Sequence, residues 1–248
     1  MNKKTKQMMW CGGAVSAFLF FVLLQVPASW LMNKFYNDQH LFENVSGNIW
    51  QGQADWQKGQ LNGSISWKIR PLDLFLLRFA ADIQLNSHQS NAAGIVGYTL
   101  NQTLKLKQLK ASISPETLAQ MSEWQWPANA IQLQDVQFDF KKGQGFSHVA
   151  GDLQWGGGEL LYQFSQREDR MNVPALQAQL QDQEGKLLIP VVDRRQQKMA
   201  NLAIDPTLML DVQLSQRLLM NVASYQGKAG LDSMVLSSRQ PLLQGGQE

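Results

Sequence analysis

Histidines, cysteine and paired acids are the side chains that could carry chemistry in this chain, and their spacing argues against it. His40, His88 and His148 fall in an N-terminal stalk, a turn and a loop, with no carboxylate or cysteine at metal-ligand spacing. No nucleophile elbow, phosphate-binding loop, dinucleotide fingerprint or zinc-protease helix motif is present. Gly156-Gly157-Gly158 is the one glycine run that could cradle an anion, but no Lys-Ser/Thr pair or helix start follows it. It reads as a hairpin turn. Glu168-Asp169, set between Arg167 and Arg170, reads as a solvated turn, and Asp193-Arg194-Arg195 as a strand end or loop. Cys11 stands alone, so no intramolecular disulfide can form, and it reads as a small apolar filler. These observations predict no catalytic residue, no metal and no cofactor. The chain reads as a protein that is not an enzyme.

Aromatic and glycine residues carry the remaining signal. Eight tryptophans are present, of which Trp50, Trp56, Trp67, Trp124, Trp126 and Trp155 lie beyond residue 44. They read as core and strand-face residues, with an aromatic docking face for a partner as the functional alternative. A repeated pattern sharpens this. Lys58-Gly59-Gln60 and Lys142-Gly143-Gln144 each precede a strand ending in Gly-x-x-x-Trp, as Gly63 to Trp67 and Gly151 to Trp155. With Gly47 and Trp50 just upstream, these six residues form the candidate structural or docking motif. The glycine of each pair is expected to leave room for a ring or to mark a bend.

The element that must position everything else is the run from Met8 to Val26, which contains no Asp, Glu, Lys, Arg or His. Nineteen helical residues rise roughly 28 Å, about a bilayer's hydrocarbon thickness. Lys3, Lys4 and Lys6 precede it without an acid, so the positive-inside rule predicts a cytoplasmic tail, residues 1–7, and a single-pass helix, residues 8–27. A cleaved signal peptide is the competing reading, since Val26-Pro27-Ala28 resembles a small-residue cleavage site. The apolar run continues into Trp30, Leu31 and Met32, which favours the anchor. Residues 28–44 then read as a helical stalk and 45–248 as the exported domain. From Ala28 onward the chain carries nineteen basic and twenty acidic residues, a balance that leaves no electrostatic footprint for a nucleic-acid partner.

In the exported domain period-two alternation dominates. Leu61, Gly63, Ile65, Trp67 and Ile69 share one face, with Asn62, Ser64, Ser66, Lys68 and Arg70 opposite. Phe79, Ala81, Ile83 and Leu85 repeat the pattern, and Ile95 to Leu100 makes a short strand. Two strands change phase: Leu104 and Leu106 give way to Leu109, Ala111 and Ile113, and Ile131 and Leu133 to Val136, Phe138 and Phe140. A bulge near Lys107–Gln108 and another near Gln134–Asp135 would keep each apolar set on one face. Ser114-Pro115-Glu116 predicts a helix start. Pro71 to Leu77 is open between helix and turn, and Gln216 to Val222 between helix and strand. Tyr162, Phe164 and the strands around Leu176–Leu180, Leu187–Val192, Leu208–Leu214 and Met234–Leu236 are expected to continue the meander, and the last residues to form a frayed tail. The expected fold is mainly β: a curved, largely antiparallel meander, an open groove or half-barrel, with a few short helices.

The order of these features resembles the type II secretion system protein N family. The basic tail, the apolar run, VSGNIWQG, a strand ending ISWKIRPLDL, GDLQWGGG and a long β-meander carry the resemblance. It implies a single-pass inner-membrane protein of a Gram-negative bacterium, its bulk in the periplasm. The implied role is accessory, in the machine that exports folded proteins across the outer membrane, with other secretion subunits as partners. The family's fold also appears similar to AsmA-like proteins, whose curved sheets form an open apolar groove. That likeness implies an alternative in which the groove binds or transfers lipid. The family supplies no catalytic residue.

Overall fold

The computed structural model describes residues 18, 21–22, 25–30, 41–75, 77–121, 125–164, 167–222 and 225–242. Most of the Met8–Val26 run and the lysine tail lie outside them. Among the described residues no helix is long and apolar enough to cross a membrane.

The alternation in the sequence becomes a single open antiparallel sheet. Its first strands are β1 (Phe42–Gly47), β2 (Gln51–Lys58) and β3 (Leu61–Ile69), then helix α1 (Pro71–Phe75). Strands β4 (Arg78–Ser87), β5 (Ser90–Thr99) and β6 (Thr103–Ile113) lead to helix α2 (Pro115–Met121) and to β7 (Ile131–Lys141) and β8 (Gly145–Trp155). Up to this point each strand pairs with the next. After β8 the chain leaves the sheet to form β9 (Gly158–Phe164) and β10 (Arg167–Val173), which pair with each other as a separate two-stranded sheet. Leu161 of β9 also bridges Gln125, and Met171 of β10 bridges Val222. The chain returns as β11 (Leu176–Gln179) on the edge of β8, followed by β12 (Gln181–Gln183), β13 (Lys186–Asp193), β14 (Lys198–Ile204) and β15 (Met209–Ser215). Helix α3 (Gln216–Leu219) and β16 (Met234–Pro241) complete the order. β1 and β16 are the two edges, and they do not meet.

β1 starts at Phe42, so the last residues of the 28–44 segment belong to the sheet. β5 starts at Ser90, five residues before the strand read from the sequence. Asn91, Ala92, Ala93 and Gly94 have side chains too small to show an apolar alternation.

Both phase changes are bulges. Pairing slips between Leu106–Phe138 and Leu109–Val136, then recovers at Ala111–Leu133. The extra residues are Gln108 (φ 52°) and Asp135 (φ 49°), in the left-handed region that non-glycine residues enter only at a cost. A third bulge on β8, at His148 (φ 53°), answers the one on β7. His148 therefore lies within a strand and not in a loop. Three neighbouring strands change phase side by side, so the apolar face stays continuous. Gly151 (φ 134°) completes the device, since a Cβ there would sit 2.6 Å from the Val136 Cα.

Four further readings are corrected. Glu168 and Asp169 belong to β10 rather than to a turn, and Arg170 pairs with Glu159 across the β9–β10 hairpin at 3.7 Å. Gly156–Gly158 is a crossover instead of a hairpin turn: it carries the chain from the large sheet to the small one. Tyr162 and Phe164 therefore lie off the meander. A period-two pattern marks a strand but says nothing about its partner. Gln240 and Pro241 end β16, and the Leu242 amide donates to the Leu208 carbonyl at 2.9 Å, so the chain is ordered further than a frayed tail; 243–248 lie outside the described residues.

The β9–β10 hairpin and α3 form a second layer over the apolar face of β8, β11, β13 and β14. Leu160, Met171 and Val173 from the hairpin and Leu218 from α3 are buried against Trp155, Ala178, Val191, Met199 and Ala200. A second cluster, Val136, Phe146, Val149, Leu180 and Leu187, joins it along the sheet. Over β3–β5 the principal contacts are with neighbouring strands and α1, and Ile65, Trp67, Ile83, Leu85 and Val96 are only half-buried.

Candidate functional site

The six motif residues fall at three separate places. Gly47 (φ 87°) turns the β1–β2 hairpin, where a Cβ would come within 2.5 Å of the Gln51 carbonyl. The Asn48 side-chain oxygen accepts from the amides of Trp50 and Gln51 at 3.0 and 2.9 Å, and the Ile69 amide donates to the Trp50 carbonyl at 2.6 Å. Trp50 is half-buried in this corner.

Gly63 and Trp67 belong to a reciprocal arrangement. Their spacing on β3 is repeated on β2 by Gly52 and Trp56, and antiparallel pairing sets Trp56 opposite Gly63 and Trp67 opposite Gly52. A Cβ on Gly52 would meet both the Ser46 carbonyl on β1 and the Trp67 ring at 2.5 Å. At Gly63 a Cβ would overlap the Asn86 carbonyl on β4, and the Trp56 indole nitrogen would lie 3.0 Å from it. Both glycines are thus set by a neighbouring backbone, and Gly52 by a ring as well. Gly52 is the residue that sequence reasoning missed, although the Gly-x-x-x-Trp spacing was there to find it.

At the second copy the parts separate. Gly151 accommodates the β7 bulge. Trp155, only 9% exposed, donates its indole N–H to the Asn129 carbonyl at 2.9 Å and tilts against Trp126 with ring centroids 5.8 Å apart. It has almost no surface to offer a partner. The two Lys-Gly-Gln turns also sit at opposite ends of the sheet, because β3 and β8 run in opposite directions. The sequence echo is therefore not a structural repeat.

Polar chemistry is sparse and outward-facing. Asp139 lies between Lys105 and His148 on the polar face, with His148 Nδ1 at 3.4 Å and the Lys105 ammonium in direct contact. The His148 side chain is 80% exposed, while that of Asp139 is 13% exposed beneath its two partners. Gln132, Gln154 and Gln177 stand side by side on β7, β8 and β11, and the Gln132 amide donates to Ser112 Oγ at 2.8 Å. They line shallow concavities on the polar face together with Asp152 and Arg194. No group of three His, Cys, Asp or Glu side chains among the described residues could hold a metal ion.

Asp193 and Asp205 are both buried and perform the same task at successive turns. Asp193 Oδ1 accepts from the amides of Arg195 and Gln197, both at 2.8 Å. Asp205 Oδ1 accepts from the Thr207 amide and hydroxyl and the Met209 amide at 2.8, 2.6 and 3.1 Å. Each turn then passes through a left-handed residue, Gln196 or Leu208, both at φ 61°. The Thr207 hydroxyl, then the Met209 amide, hold the Asp205 carboxyl below its usual range, and Arg239 adds to this from β16. The acid of the Asp193-Arg194-Arg195 cluster is a turn-former.

Among the described residues, two surfaces are left uncovered. All eight residues of β16 are exposed, and its outer edge presents unpaired backbone groups. The half-buried apolar face of β3–β6 ends in Phe79, Tyr98 and Leu104, exposed by 51%, 51% and 39%.

A family model described as Type II secretion system (T2SS), protein N, matches residues 41–238, from the residue before β1 into β16. No curated protein and no solved structure matches the chain.

Proposed function

The chain belongs to the type II secretion system protein N family, and we propose that it serves that machinery as a non-catalytic inner-membrane subunit working through protein contacts. The observation that carries this reading is the extent of the match, which takes in almost the whole sheet. The sheet itself supports a role in contacts. Edge strand β16 offers eight exposed residues to which another subunit's strand can add by main-chain hydrogen bonds. The lysine tail and the apolar run favour a single-pass anchor with the sheet in the periplasm.

A second reading, an AsmA-like groove that binds or transfers lipid, draws on the half-buried apolar face of β3–β6. Deletion of the gene separates the two. We expect exported folded enzymes to accumulate in the periplasm while outer-membrane lipid composition and detergent resistance stay normal. Unaltered secretion, together with stoichiometric phospholipid retained by the purified protein in native mass spectrometry, would replace the secretion reading with the lipid one.

A further inference from the structure

We propose that one end of the sheet, the rim built by residues 70–75, Leu77 and the β5–β6 turn, seats on an anionic lipid surface. Strand direction alternates, so the β1–β2 turn, the α1 connection and the β5–β6 turn all lie at this end. Apolar side chains crowd it. Leu72 and Leu77 beside α1 are 77% and 68% exposed, and Leu100 at the tip of the β5–β6 turn is 77% exposed. Just behind them stand Phe79 and Tyr98, a cross-strand pair, each 51% exposed. The turns at the opposite end of these strands hold Gly59-Gln60 and His88-Gln89. A single exposed leucine needs no explanation, but five apolar side chains on adjoining turns mark a contact surface.

Charge identifies what that surface meets. Arg70, Arg78, Lys105 and Lys107 line a shallow concavity immediately behind the leucines, and Asp73 is the one acid among its lining residues. Arg70 pairs loosely with Asp82 at 3.6 Å and Arg78 with Asp73 at 4.0 Å, and the side chains of both arginines are more than 40% exposed. Lys141 and Lys142 follow at the β7–β8 turn of the same end. Leucines flanked by snorkelling Arg and Lys match the headgroup boundary of a bilayer: apolar tips enter the acyl margin while cations meet phosphates. Lys105 touches Asp139, but Lys107, Lys141 and Lys142 form no ion pair among the described residues and are left for lipid phosphates.

Chain path supplies the orientation. The Ile49 amide donates to the Val26 carbonyl at 3.1 Å, and Pro27 bridges to Asn48. The last residue of the apolar run is therefore fixed to the same end of the sheet. From β2 to β6 is four strand spacings, roughly 19 Å. Only this orientation rests on the anchor reading proposed above; the leucines and cations stand without it.

The full chain in a Cys11→Ala background provides the test, with single cysteines placed by Leu72→Cys, Leu100→Cys or, at the opposite end, His88→Cys. Each is labelled with a fluorophore and reconstituted into vesicles of phosphatidylcholine and phosphatidylglycerol at about four to one, and quenching by aqueous iodide is read. Labels at 72 and 100 should be quenched about threefold less than the label at 88. Adding Arg78→Glu and Lys107→Glu should bring them back to the value at 88 without changing that value. Equal quenching at the three positions, or the same protection without phosphatidylglycerol, overturns the inference. A label placed by Phe18→Cys reports bilayer entry of the apolar run separately. Secretion in the deletion strain reports the secretion reading, so the failure of each is distinguishable.

Discussion

Single residues here are fixed by how closely backbones and rings approach them. Gly63 is the sharpest case, because the obstacle to a side chain is the Asn86 carbonyl of β4. Gly63→Ala should destabilise the sheet by about 1–3 kcal/mol, as overpacking does. Trimming the nearby ring with Trp56→Leu should not rescue it. Rescue in a denaturant melt of the double variant would show that the ring, and not the strand, excludes the methyl group. Trp155→Ala tests the covered half of the sheet in the same assay. Removing a core indole should cost about 3–5 kcal/mol, while Gln154→Ala, next in chain and on the polar face, should stay within about 0.5 kcal/mol. Equal losses would mean that the faces are wrongly assigned. The motif was readable as Gly-x-x-x-Trp, but its meaning was not. Gly52 makes room for a ring and a backbone, Gly63 for a backbone and Gly151 for a bulge, and that depends on the neighbouring strand.

Elements in this chain are joined by turns whose chemistry is local, and these were mostly legible. Ser114 caps α2 as its Ser-Pro-Glu pattern predicts, with its hydroxyl accepting from the Thr117 amide at 3.3 Å. Ser215 does the same for α3, accepting from Leu218 at 3.2 Å, although Gln216 to Val222 was open between helix and strand. The matching turns at Asp193 and Asp205 went unread, because their sequences share only the aspartate. Asp205 makes its turn a pH-sensitive element. Its native carboxyl sits below the ordinary value of 3.8, so the ionised form favours the fold. The stability this gives is present above that value and is lost as pH falls through the lower native one. Asp205→Asn cannot titrate. Between about pH 6 and pH 3 the wild-type denaturant midpoint should fall more steeply than that of Asp205→Asn. Parallel slopes would remove Asp205 from the acid sensitivity.

At the scale of the whole molecule the two edges of the sheet are unlike. β1 is six residues long, carries Glu43 and a register shift between Glu43 and Ser46, and ends in a turn pinned by Asn48. β16 is eight residues long, exposed throughout, and slips only at its first pair. Irregular, charged edges resist strand addition, whereas long regular ones accept it, so the free side of the molecule is β16. Orientation in the envelope is the remaining question at this scale. A reporter fused after Gly246 should be active only outside the cytoplasm, and the mature protein should retain Lys3. A mature N-terminus at Ser29 would mean instead that the apolar run is a removed signal, although Ala28 is buried against the domain at 3% exposure.

The sequence by itself determined the class of the fold, the phase of nearly every strand, and two of the three neighbouring bulges. Those follow from periodicity, and periodicity is a property of a few consecutive residues. The bulge at His148 escaped because Phe146 alone lies beyond it on β8, too little to show a change of phase. What only the tertiary structure decided is partnership. β9 and β10 have the alternation of sheet strands, yet they fold back as a cover, since Leu160, Met171 and Val173 find the apolar face of β8, β11, β13 and β14 free. β3 and β4 alternate just as regularly and receive no such layer from the described residues. Which apolar face is buried and which stays open is set by where the chain returns, a long-range choice that no local pattern of side chains encodes.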